Sequence, residues 1–118
     1  MNILKSIYLY TIKTGGCSYS FQEFRTIKEG YSVSIDKIYE RCVDIEDFTT
    51  IDLKDYILDN YSFLWEYDNH HLGTWIEGGA VYMDISVQYD TLEEAIEAAE
   101  YYDQLAIYDH KKKETIYL

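Results

Sequence analysis

Proline is missing from the chain, and no serine- or glycine-rich stretch replaces it, so nothing reads as a linker or a domain boundary. No internal repeat divides the sequence, and its 118 residues are read as one domain, 1–118, around one core. Cysteine is scarce. Cys17 and Cys42 are expected to be reduced, because a domain with a core of its own needs no disulfide. No run approaches the roughly 20 apolar residues of a membrane span. The N-terminal MNILKSIYLYTIKTGG has neither a signal-like apolar segment nor a small-residue cleavage site. A cytoplasmic setting, that of the host cell if a phage encodes the chain, and no membrane contact are therefore expected. Basic residues are also few, ten against 22 acids, for a formal charge of -12. Such a field repels phosphate and argues against direct binding to nucleic acid.

What is present is apolar content sufficient to fold, 47% hydrophobic and 17% aromatic residues, despite the charge. The charge is unevenly placed. Residues 36–103 hold 18 acids against Lys37, Arg41 and Lys54, a net -15, whereas 1–35 and 104–118 are slightly basic. A basic partner follows from that distribution.

Periodicity gives an expected order of β-α-α-α-β-β-β-α-β-β. Residues 3–13, rich in Ile and Tyr, read as a strand ended by Gly15-Gly16. Ser20 and Glu23 fit a capping box, Phe21, Phe24 and Ile27 form a helical stripe, and Gly30 is placed to stop that helix. Ile35, Ile38, Tyr39 and Cys42, then Leu53, Tyr56 and Ile57, suggest two short helices about an acidic loop at Glu46 and Asp47. The alternation of Val33 and Ile35 leaves a strand open as the reading of 31–42. Phe63 to Tyr67 and Leu72 to Glu77 read as a hairpin around Asp68-Asn69-His70-His71, and Gly78-Gly79 turns into a strand at 80–89. Thr91 with Glu94 caps a helix at 92–102 whose Leu92, Ala95, Ile96 and Ala99 face the sheet. A last hairpin joins Gln104 to Asp109 and Glu114 to Leu118. The fold class expected is α+β, an antiparallel sheet of about five to six strands covered by helices on one face.

No catalytic constellation emerges. His70-His71 and His110 lack the spacing of metal ligands, and a turn between strands is where exposed polar residues belong, so neither a metal nor another cofactor is expected. No motif flanks Cys17 to mark it as a nucleophile. The glycine pairs belong to no phosphate-binding pattern and read as turns. The 14 tyrosines often adjoin acids, as in Asp55-Tyr56 and Glu100-Tyr101-Tyr102-Asp103. Exposed tyrosine gives contact area at low entropic cost, and carboxylates beside it suit arginine forks.

The segment WIEGGAVYMDISVQYDTLEEAIEAAEYYDQLAIYDHKKKETIYL resembles the C-terminal part of small proteins carried by phages and mobile elements. As a small acidic chain, the whole resembles anti-CRISPR and antirestriction proteins. That resemblance implies an acidic inhibitor, a DNA mimic in one form, that fills the basic nucleic-acid groove of a host defence nuclease or effector complex. An immunity protein or antitoxin masking a basic toxin is the alternative. Not an enzyme but a binding module is expected. The residues expected at its interface are Glu93, Glu97, Glu100 and Tyr101 on the acidic helix, and Asp44, Glu46, Asp47, Asp55, Tyr56 and Asp59 as a second patch.

Overall fold

Val81, Met83, Ile85 and Val87 alternate with Tyr82, Asp84, Ser86 and Gln88, and this period of two holds ten residues in one strand. That strand is the spine of the computed structural model, which describes residues 2–118. In chain order the elements are α1 (Ile3–Thr14), β1 (Gly16–Ser20), β2 (Arg25–Thr26), β3 (Tyr31–Ser34), a 3-10 turn at Lys37–Tyr39, β4 (Arg41–Asp44), α2 (Thr50–Asp59) and α3 (Tyr61–Glu66). They continue with β5 (His70–Glu77), β6 (Ala80–Tyr89), α4 (Leu92–Tyr101), β7 (Ala106–Asp109) and β8 (Glu114–Tyr117).

All eight strands described join one antiparallel sheet, seven of them in the order β2-β1-β5-β6-β3-β7-β8 and β4 off this path. β4 pairs with the first half of β6, setting Asp44 opposite Ala80, while β3 pairs with the second half, setting Tyr31 opposite Tyr89. The register puts Leu72, Val81, Met83, Ile85, Val87 and Val33 on one face, and the helices cover that face. Ile7, Leu53, Tyr56, Ile57 and Leu64 close the main core, and Ala95 and Ala99 of α4 pack with Val33 and Ile107 in a second. The fold is thus α+β with an antiparallel sheet, helix-covered on one face.

Several elements differ from the sequence expectation. Residues 3–13 form α1 and not a strand: the Asn2 side chain caps Lys5 N, Ile7 and Thr11 lie one turn apart against the sheet, and Gly15 closes the helix at φ 89°. The helix expected after Ser20 is a turn and β2, with Ser20 itself the last residue of β1. Ser20 Oγ does accept from Glu23 N at 3.1 Å, yet Phe24 then takes a left-handed φ of 54° and stands 68% exposed, which ends any helical run. Residues 31–42 hold β3 and the start of β4, so the strand alternative is the correct one there. Phe63 to Tyr67 is no hairpin arm. It lies in and just after α3, where Leu64 is buried, and the outer neighbour of β5 is β1. The sheet therefore has eight strands, more than the five to six expected, in the order α-β-β-β-β-α-α-β-β-α-β-β.

Candidate functional site

Helix α4 carries the clearest exposed feature. Thr91 Oγ1 accepts from Glu94 N at 3.2 Å, half of the expected capping box, and donates to Glu94 Oε1 at 2.9 Å, so the reciprocal backbone bond is not made. Ala95 and Ala99 bury one side, which forces Glu93, Glu94, Glu97 and Glu100 outward, all exposed. Glu94, Glu97 and Tyr101 recur at three and four residues and form one wall of a shallow groove of about 500 Å³ that Tyr89, Ala98 and Tyr102 complete. A second hollow of about 230 Å³ shares Tyr89 and Glu94 and extends to Asn69, Gln88 and Asp90. Tyr101 is 82% exposed and meets Tyr102 edge-on at 5.0 Å. Among the described residues the ion pairs are Arg25 with Glu23 and Arg41 with Asp59, so the acids of α4 are left without a cation.

The second expected patch is only partly a patch. Asp44, Glu46, Asp47, Asp55 and Asp59 are exposed, with Asp59 paired to Arg41 at 2.9 Å. Tyr56 does not belong to it. At 1% exposure it is among the largest side chains of the core, its hydroxyl donates to Tyr39 O at 2.5 Å, and Arg41 lies over its ring at 5.1 Å. Burial and the nearby Asp84 carboxylate push its phenol well above the usual range. The two patches are also not contiguous: Asp44 sits at the Ala80 end of β6 and α4 follows its Tyr89 end, some ~30 Å of strand apart. Sequence spacing named Glu93, Glu97 and Glu100 but missed Tyr89, Glu94 and Tyr102 as groove residues. The signal was present in Thr91-x-x-Glu94, which fixes how Glu94 leaves the helix.

The sheet face turned away from the helical cores holds a buried polar belt that no local pattern announces. His71 is not in an exposed turn; it is the second residue of β5 and 1% exposed. Across Ser86 it reaches β3, where Ser32 Oγ lies 2.9 Å from His71 Nε2 and 2.5 Å from His110 Nε2. A single hydroxyl can donate to one ring and accept from the other, an arrangement that suits two neutral imidazoles. Burial and the neighbouring His110 hold His71 down at about 3, the nearby Asn69 backbone opposing this without closing a bond to Nδ1, which has no partner. Burial likewise lowers His110 to about 4, partly opposed by Asp109.

Along the same face Asp84 accepts from Ser34 Oγ and Ser86 Oγ, both at 3.0 Å, and from Trp75 Nε1 at 3.2 Å. Burial raises its carboxyl above the usual range even against these three donors. Its partner across the ladder is Gly73, where a Cβ would stand 3.2 Å from Asp84 Cγ, inside the space the carboxylate occupies. Neither groove on α4 is lined by any side chain of this belt. Among the described residues no three His, Cys, Asp or Glu side chains are arranged to hold a metal ion, and no helix is long and apolar enough to cross a membrane. Burial pushes Cys17 up to about 11, which makes its thiol a poor nucleophile. No protein-family model, curated protein or solved structure matches the chain.

Proposed function

We propose that the protein is an acidic inhibitory binding module that occupies a basic surface, in the manner of an anti-CRISPR or antirestriction protein acting on a host defence nuclease. The observation that carries this reading is the α4 groove: Glu94 and Glu97 stand among Tyr89, Tyr101 and Tyr102 with no cation of the chain paired to them. A guanidinium entering it meets carboxylates that accept its forked donors and ring faces that attract its charge. Glu93 and Glu100, outside the groove, run with Glu97 of its wall about 10 Å along the helix and present a row of negative charge, with no base to read, to a groove built for phosphates. The partner is a basic protein, and neither nucleic acid nor an enzymatic reaction has a part in this reading.

The test is inhibition of a panel of restriction enzymes and RNA-guided nucleases, together with capture from a host lysate identified by mass spectrometry. The triple variant Glu93→Lys, Glu97→Lys, Glu100→Lys is expected to melt as the parent does and to lose inhibition. Tyr101→Ala is expected to weaken it more than any single acid. Binding is expected to fall steeply as salt rises, since exposed charges are screened over about 8 Å at physiological ionic strength. A folded triple variant that inhibits as well as the parent overturns the reading.

A further inference from the structure

The outer edge of β8 has no neighbouring strand among the described residues, and it lies in the slightly basic segment 104–118 of an otherwise acidic chain. Leu118 N donates to Leu105 O at 2.9 Å, which fixes the alternation of the β7–β8 ladder. Residues 114, 116 and 118 spend their backbone groups on β7, and Thr115 and Tyr117 turn N–H and C=O outward. We propose that this edge is where a second copy of the chain pairs, β8 against β8 antiparallel about a two-fold axis at Ile116.

The arrangement is self-complementary. With Thr115 opposite Tyr117 of the second copy, and Tyr117 opposite its Thr115, the four outward donors and acceptors on each strand meet in closely spaced pairs. The antiparallel sense brings the Lys111-Lys112-Lys113 turn of one copy beside the other end of the partner strand. There Leu105 lies beside Leu118, two residues after Asp103, so the one basic turn approaches an acid where two chains of -12 would otherwise repel. Tyr117 of the edge strand, 79% exposed, is apolar surface that the pairing sets against Thr115 of the second copy. This inference is independent of the α4 groove.

Sedimentation equilibrium of the full chain is expected to show a concentration-dependent dimer. Thr115→Pro removes an outward donor and leaves every β7 bond in place, so it is expected to yield a monomer with an unchanged far-ultraviolet spectrum. As a second measurement, Ile116→Cys in a Cys42→Ser background places two sulfurs across the axis, where directly opposed residues lie about 4.5 Å apart. It is expected to cross-link between chains on mild oxidation, and Lys111→Glu, Lys112→Glu, Lys113→Glu added to it is expected to suppress the cross-link. A parent that stays monomeric at every concentration overturns the proposal. So does a dimer indifferent to Thr115→Pro, or an Ile116→Cys protein that forms no inter-chain disulfide.

Discussion

Acid should loosen this protein through two side chains. His71 and His110 have folded values of about 3 and about 4, below the ~6.5 of an imidazole in an unfolded chain. A depressed imidazole contributes its stability in full above the unfolded value, and that contribution is lost as pH falls from there toward the folded values, because the unfolded chain takes up the protons first. At pH 5 the solution is about 1.5 units below that unfolded value and still above both folded ones, so each ring has lost about 2 kcal/mol, or about 4 kcal/mol for the pair. Domains of this size hold roughly 5–15 kcal/mol in all, so the loss is large. Asp84 works in the opposite sense. Its raised carboxyl costs stability while ionised and regains it as pH falls through its folded value, trimming the loss at the acid end. Urea melts at pH 7 and pH 5 measure the effect. Replacing both rings by Gln keeps an amide near each Nε2 position and removes the titration, so the drop between the two pH values should shrink by about 3–4 kcal/mol relative to the parent. A double variant that loses as much stability as the parent over this interval refutes the reasoning.

Two other substitutions test the packing. Gly73→Ala puts a methyl where the Asp84 carboxylate rests, and should cost about 2–4 kcal/mol in a urea melt by forcing that group off Ser34, Ser86 and Trp75. Ile85→Ala, at 1% exposure, should cost about 2–5 kcal/mol, and Ile96→Ala, half-buried on α4, clearly less; equal losses would misplace α4.

Much of the second half of the fold was legible because local and long-range demands agree there. In β6 the alternation matches a strand with one face on the core, and in α4 a Thr cap precedes a stripe of alanines. The first half misleads for a physical reason. Ile and Tyr favour strands on average, but in α1 Ile7 and Thr11 are buried at helical spacing, and Thr11 Oγ1 lies 2.6 Å from Thr74 Oγ1 on β5, a contact no local window contains. Ser20 makes its cap bond and the chain still turns back, since one satisfied donor does not propagate a helix. Of the site, the exposed acids of α4 and its Tyr101 could be read from the sequence. Tyr56 could not be told from an exposed tyrosine, because its burial depends on β4 and α1. The belt was invisible for the same cause: Ser32, His71 and His110 meet across 39 and 78 positions, and each alone looks like an ordinary polar residue.

The way β6 serves three neighbours also bears on how the chain can be made. Of the four strands in the first 44 residues, only β1 and β2 pair with each other; β1 otherwise waits for β5, and β3 and β4 wait for β6. A nascent chain leaving the ribosome therefore carries β4 without its full partner until residue 83 has emerged and β3 until residue 89, some 39 and 55 positions after each strand ends. Closing loops of that length before any long-range contact repays them is slow. The β5–β6 hairpin, turned by Gly78 and Gly79 at φ 58° and 78°, is the one large unit of the sheet that can assemble from neighbours in sequence. Through synthesis, the earlier strands remain open edges that other chains can capture.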